Sequence, residues 1–326
     1  MVDKVFENIH RIEVPLPRNP LKSVNCYVVK GADRDLVIDT GMNRPECRSA
    51  MESGLKELNV DLTRCDFFIT HLHADHLGLA SHLATEGSTV YFNRTEAKMV
   101  RMMKEKGGFG SRMTDFARLA GFSDAEMKDS LRNHPGQRFQ AAHSVDFHLM
   151  DEGDTLEVGG YHFECIATPG HSPGHLCLYD ADTKLMIAGD HVLGEITPNI
   201  SAMARDENPL AEFLKSLDKV YEYDVDLALP GHRSLIKDFH GRIDELREHH
   251  RERLDEVMSV LDGKALPGYD VASRMTWKMK AATWEEVGIM QKWFATGEAI
   301  AHLHYLAEKG AVTAEEQDGV TLYSSA

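Results

Sequence analysis

Thr70-His71-Leu72-His73-Ala74-Asp75-His76-Leu77-Gly78 is the stretch that decides how this chain is read. Three imidazoles and a carboxylate are packed into His71–His76, directly after the apolar run Phe67-Phe68-Ile69-Thr70. A short aromatic and β-branched run that stops at a polar turn reads as a buried strand, so His71 opens the loop at its end. Imidazole and carboxylate are borderline-to-hard donors, suited to Zn²⁺ and also to Fe or Mn. On an extended loop His71 and His73 point to one side, while Asp75 and His76 turn toward a second position. One ion does not need four such close ligands, and a merely solvated loop does not need this density of them.

Three further segments repeat the pattern of a ligand side chain beside glycine at the end of an apolar strand. They are Thr168-Pro169-Gly170-His171-Ser172-Pro173-Gly174-His175, Ala188-Gly189-Asp190-His191 and Leu229-Pro230-Gly231-His232. Glycine permits tight turns and close backbone approach, so side chains from separate strands can converge. Each segment alone could be an ordinary strand-to-loop turn. Jointly they add His171, Asp190 and His232, enough to complete two metal shells.

Around these motifs strands alternate with helices, the mark of an α/β protein. Strands are expected at 24–29, 35–39, 67–70, 89–92, 147–150, 162–166, 176–179, 185–188 and 227–229. A helix is expected from Pro45, with Met51, Leu55 and Leu58 inward. Another is capped by Asn208 and opened by Pro209. Residues 94–135, with Met99, Met103, Met113, Phe116 and Met127 at helical intervals, read as a helical insertion, either core, a dimer surface or a substrate lid. The expected division is a catalytic domain over 1–240, a linking helix over 241–263 and a C-terminal domain over 264–326. His143, His148, His162, His249 and His250 read as ordinary residues.

The chain has 326 residues and is 42% hydrophobic, sufficient for a sizeable core. No apolar run reaches the roughly 20 residues that span a bilayer. The opening, Met1 to Val14, lacks the apolar core of a secretory signal. The five cysteines, Cys26, Cys47, Cys65, Cys165 and Cys177, are widely spaced and form no C-x-x-C pair, which points to buried thiols and a reducing cytoplasm. A net charge of −16 works against phosphate backbones, whose binding rests on Lys and Arg.

The ordered set of motifs over about residues 10–240 resembles the metallo-β-lactamase superfamily. The resemblance implies an αββα sandwich with a metal site along one edge. It implies that His71, His73 and His171 hold a first ion, Asp75, His76 and His232 a second, with Asp190 and a water or hydroxide bridging them. Zinc is the expected metal, with Fe or Mn as alternatives. Asp39, in Asp39-Thr40-Gly41, matches an early aspartate that supports the site from behind, a role in which His175 and His191 are further candidates. The bridging hydroxide is expected to attack the substrate while the metals polarise it. Asp75 is expected to orient that hydroxide or take its proton. Zinc β-lactamases proper carry Cys or Ser where this chain has Asp190, which disfavours antibiotic hydrolysis. The flavo-diiron members carry Glu at the position of His73 and a further domain.

Residues 264–326 resemble the small winged-helix-like tail of some members, among them an endoribonuclease-like group, which the stretch Asp190–Asn199 also resembles. Yet this tail holds six Lys/Arg against eight Asp/Glu. Its candidate recognition helix, Thr296 to Lys309, carries Glu298 and Glu308 against one Lys. Such chemistry suits packing, dimerisation or pocket closure better than phosphate contact. The expected function is therefore a metal-dependent hydrolase of a small thioester or lactone. An endoribonuclease is the alternative, and a non-catalytic regulator on the same scaffold is a third reading. Ile196, Thr197 and Pro198 are candidate substrate-pocket residues.

Overall fold

Residues 1–104, 108–135 and 145–326 are described by the computed structural model; His143 lies outside them. Seven strands form one sheet in chain order: β1 (Val2–Phe6), β2 (Ile9–Pro15), β3 (Ser23–Val29), β4 (Asp35–Ile38), β5 (Cys65–Ile69), β6 (Val90–Asn93) and β7 (Phe147–Met150). The strands β1 to β4 pair antiparallel, and β4 to β7 run parallel. Parallel neighbours need a crossover, and between β4 and β5 it is α1 (Pro45–Glu57), with proline in its first turn where no N–H is missed. A second sheet has the order β12 (Leu227–Pro230), β11 (Leu185–Gly189), β10 (Leu176–Asp180), β9 (Tyr161–Ala167), β8 (Thr155–Val158).

Strand β3 is buried along its whole length, as a strand covered on both faces must be. Alternate side chains go to opposite faces. Val24, Cys26 and Val28 join Met51 and Leu55 of α1 in one core cluster, while Tyr27 and Val29 join Phe163, Cys165, Leu178 and Ile187 of the second sheet in another. The chain is thus an αββα sandwich with a helical C-terminal region. All five cysteines are free and buried, and no helix among the described residues is long and apolar enough to cross a membrane.

Strand ends put the site on one edge. The strands β4 and β5 are parallel, as are β11 and β12, and β9 shares the direction of β11 through the antiparallel β10 between them. The loops after β4, β5, β9, β11 and β12 carry Asp39, the His71–His76 motif, His171, Asp190 and His232. The extended loop expected for 71–76 is in part a helix. Asp75 and His76 sit on the single-turn α2 (Ala74–Leu77), followed by α3 (Ala80–Leu83), and the His76 ring lies 4.1 Å from that of His71.

The chain separates into two compact units. The first comprises Met1–Arg101, Phe139–Pro198 and Ser216–Ile243; the second comprises Met102–Arg138, Asn199–Lys215 and Asp244–Ala326. This differs from a division at 240 and 263. The expected insertion forms α4 (Arg94–Lys104), α5 (Gly108–Ala120) and α6 (Asp124–Asn133), and most of it groups with the tail. The helix α7 (Pro209–Tyr221) is shared between the units, as is α8 (Phe239–Leu261). The tail adds β13 (Leu266–Pro267), α9 (Gly268–Arg274), α10 (Ile289–Glu308) and the hairpin β14 (Val312–Gln317) and β15 (Val320–Ser325). Within the second unit Tyr269 and Lys292 both reach Glu126, and the rings of Phe116, Phe122 and Trp293 pack together at tilted angles, so the insertion is core there.

Two expectations in this unit need correcting. The candidate recognition helix begins at Ile289, not Thr296, and buries Lys292, Trp293, Thr296, Gly297, Ile300, His302, Leu303 and Leu306 around its circumference. His250 is not an ordinary helix residue: it is buried, and its Nδ1 lies 3.1 Å from Nε2 of the buried His302.

Candidate metal centre

His71 leaves the end of β5 fully buried, and Thr70 before it is tied to Asp39. Asp39 is buried with a left-handed backbone (φ 59°), a conformation that aspartate tolerates. Its Oδ1 accepts from the Thr70 amide at 2.9 Å, and its Oδ2 accepts from Thr70 Oγ1 at 2.9 Å. The same Oδ2 lies 2.7 Å from His76 Nδ1. A carboxylate there can only accept, so His76 carries its proton on Nδ1 and directs Nε2 into the cluster.

The other candidate ligands are braced as firmly. His232 Nδ1 donates to the Ser23 carbonyl at 2.6 Å, which leaves its Nε2 facing inward. The Pro230 carbonyl just before it accepts from Asn25 Nδ2 (2.9 Å) and Tyr27 Oη (2.7 Å), tying β12 to β3. A Cβ on Gly231 would stand 2.3 Å from Asp190 Oδ1 and 2.8 Å from His76 Cε1, so only glycine lets this loop pass the cluster. His175 and His191 are fully buried. The His175 Nε2 accepts from the Asp190 backbone amide at 3.0 Å, and its Nδ1 is 2.7 Å from Thr168 Oγ1. His175 thus steadies the Asp190 main chain and leaves the carboxylate free to face inward. Burial pushes His191 down to about 3, partly offset by the Ser216 carbonyl.

The seven expected ligands come together. Three groups have donor atoms within 4.8 Å of one another: His71, His73 and His171; His71, His76 and Asp190; Asp75, His76 and His232. The first and third share no residue. Asp190 stands between them, with Oδ1 3.6 Å from His76 Nε2, and Oδ2 3.5 Å from His171 Nε2 and 3.3 Å from His232 Nε2. His76 Nε2, His232 Nε2 and Asp190 Oδ1 are buried and make no hydrogen bond. Buried polar atoms are otherwise almost always paired. Three such orphans aimed at one another fit a cation, and the donor set is what a borderline-to-hard cation takes.

The charges support this. Burial alone would lower His76 and His232, but carboxylates outweigh it: Asp39 and Asp190 raise His76 well above the usual histidine range, and Asp190 with Asp75 push His232 up to about 10. Burial alone would raise Asp75 and Asp190, but His232 and His76 hold both carboxyls well below the usual range. His71 is driven well down by burial and by the neighbouring imidazoles, which outweigh the pull of Asp190.

Sequence reasoning missed one residue. Glu96, in the first turn of α4, is fully buried. Its Oε1 accepts from Ser172 Oγ and the Gly174 amide, both at 2.7 Å, and its Oε2 from the Leu72 amide at 2.8 Å. Burial pushes this carboxyl up to about 7, against three hydrogen bonds that favour its ionised form. The signal available was only a Glu after the run Val90–Asn93, which reads as an exposed helix start. The Ile196–Pro198 segment is half-buried at Ile196, exposed at Thr197 and buried at Pro198. Arg242 holds it, donating to the carbonyls of Leu193 (2.6 Å) and Ile196 (2.9 Å).

An αββα sandwich with this histidine and aspartate cluster at its strand ends defines a class, and comparison with known proteins agrees. Residues 19–232 match the metallo-beta-lactamase superfamily, and residues 254–326 match the metallo-beta-lactamase-like C-terminal domain. The chain belongs to that superfamily and is a metal-dependent hydrolase. It is 25% identical over 327 residues to the probable metallo-hydrolase YqjP of Bacillus subtilis, covering 97% of each chain. It is 24% identical over 247 residues to an atrochrysone carboxyl ACP thioesterase of Emericella nidulans, covering 76% of this chain and 63% of that one. A metallo-beta-lactamase family protein from Thermus thermophilus superposes with a TM-score of 0.85 at 27% identity, covering 99% of this chain and 100% of that one.

Proposed function

We propose that this hydrolase works with two divalent ions, zinc foremost, on a small thioester or lactone in a reducing cytoplasm. The observation that carries the dinuclear reading is the pair of ligand triads that share no residue, with Asp190 between them. His71, His73 and His171 would hold one ion, and Asp75, His76 and His232 the other, with Asp190 facing both. Bound there, such ions supply an acidified water and an electrophilic contact for the substrate's carbonyl oxygen.

The chain's own residues do the rest. Asp75, kept ionised by His232 and His76, offers a carboxylate oxygen to orient the attacking water and take its proton. Asp39 holds the His76 tautomer, and His175 holds the Asp190 backbone. Ile196, Thr197 and Pro198, fixed by Arg242, are candidates for the apolar side of the substrate site.

Two facts favour an acyl substrate over RNA. One curated relative is named an acyl-carrier-protein thioesterase. The net charge of −16, with helix α10 of the tail committed to core packing, suits a strand of phosphates poorly. The deciding experiment is a panel of thioesters, lactones, phosphodiesters and RNA run on one metal-loaded preparation, with Asp75→Ala as control for contaminants. Turnover of a thioester or lactone, lost in the variant, is expected. RNA cleavage lost in the variant, without acyl turnover, would overturn the acyl reading in favour of an endoribonuclease.

A further inference from the structure

Glu96 has no place in the ligand set, yet its buried carboxylate is given over to two loops. Leu72, whose amide it accepts, lies between His71 and His73. Ser172, whose hydroxyl it accepts, follows His171. The same oxygen takes the Gly174 amide, and this loop is pressed close: a Cβ on Gly174 would lie 2.2 Å from Asn93 Oδ1 and 2.9 Å from Glu96 Cγ. Asn93 in turn accepts from the Thr95 amide (2.8 Å) and donates to the Met150 carbonyl (3.2 Å), anchoring the start of α4 to the sheet.

Burying a carboxylate is costly unless its oxygens are satisfied, and here all three donors belong to the two loops that carry His71, His73 and His171. Those are the three residues of the first triad. The second triad is braced elsewhere, by Asp39 behind His76 and by the Ser23 carbonyl behind His232.

We propose that Glu96 is the positioning residue of the first ion's site, cross-linking its two loops, with no comparable hold on the second. This rests on the dinuclear reading above. The carboxylate is required, since no orientation of a glutamine satisfies all three donors. With its oxygen toward Ser172 and Gly174, its NH₂ meets the Leu72 N–H. Turned round, it can still donate to the Ser172 hydroxyl but meets the Gly174 N–H.

The test is zinc titration of metal-free protein against a chromophoric chelator, with Glu96→Gln placed in two backgrounds. In His232→Ala, which keeps the first triad, Glu96→Gln should weaken zinc about 10- to 100-fold, the usual scale for groups that orient ligands from behind. In His73→Ala, which keeps the second triad, the change should stay below about threefold. Circular dichroism of the metal-free proteins confirms folding. Should Glu96→Gln not fold, Ser172→Ala removes one of the three hydrogen bonds and should weaken only the first ion, by several-fold. Unchanged affinity in the His232→Ala background, or equal loss in both, overturns the inference. A wild-type chain that cannot take up two ions would sink the dinuclear reading and this inference with it. Two ions held with affinities indifferent to residue 96 would sink this inference alone.

Discussion

Asp39→Asn changes one atom in the molecule's support structure and should cost most of the second ion's affinity. Asp39 accepts three hydrogen bonds, from the Thr70 amide, Thr70 Oγ1 and His76 Nδ1, at 2.9, 2.9 and 2.7 Å. An asparagine can keep its oxygen on the Thr70 amide, but its NH₂ then faces His76 Nδ1. Two donors cannot share that gap, so the imidazole must move its proton to Nε2 and accept at Nδ1. In that tautomer Nε2 no longer offers a lone pair to the cluster, and His76 ceases to be a ligand until the proton is driven off. Outer partners of this kind are worth roughly 10- to 100-fold in metal affinity, or about 1.4–2.7 kcal/mol. The measurement is competitive zinc titration of metal-free protein, with circular dichroism to confirm the fold. The loss should fall on one ion of the two, and Asp39→Ala, which leaves Nδ1 without its partner, should do no better. Both ions bound as tightly as in wild type would refute the tautomer argument, which assigns the proton on Nδ1 to Asp39.

Elemental analysis of the purified protein should find close to two transition-metal ions per chain; one ion after incubation with excess metal would count against two sites. Asp190→Ala should loosen both ions and His232→Ala mainly one, so an Asp190→Ala protein with full metal content and activity would show that Asp190 does not serve both. Burial holds the His302 ring at about 4 against its ordinary 6.5, so between those values the unfolded chain binds the proton more readily. The stability from the neutral ring is therefore complete above about pH 6.5 and lost as pH falls toward 4, on the order of 3 kcal/mol. Denaturant melts across that range should steepen this loss in wild type relative to His302→Gln, and equal slopes would contradict it.

What the sequence revealed and what it hid divide along a physical line. The ligand loops were legible because each needs a chemically rare side chain beside glycine at a strand end, as at Gly231, where any Cβ would strike Asp190 and His76. Strands such as β3 and β11 were legible because burial on both faces leaves a mostly apolar run, unbroken in β11 and interrupted in β3 only by Asn25 after its opening Ser23. The geometry of 71–76 was half legible: the residues were recognisable, but the turn of helix that aims Asp75 and His76 is too short for any periodicity to announce it. Glu96 was invisible for a different reason. A glutamate in a first helical turn is what solvent and the helix dipole favour, so its identity carries no sign of burial. Only the loops folding over it, from residues 72 and 172, turn it into a brace. The grouping of the insertion with the tail was hidden likewise, because it depends on contacts such as Glu126 with Tyr269 and Lys292, 143 and 166 residues away in the chain. The same reasoning locates where substrate choice must be sought. The candidate metal cluster is specified by residues whose types announce themselves. On the proposed reading, what separates a thioester from an RNA strand would be set by surfaces such as Ile196–Pro198, built from common residues whose meaning lies in where the fold places them.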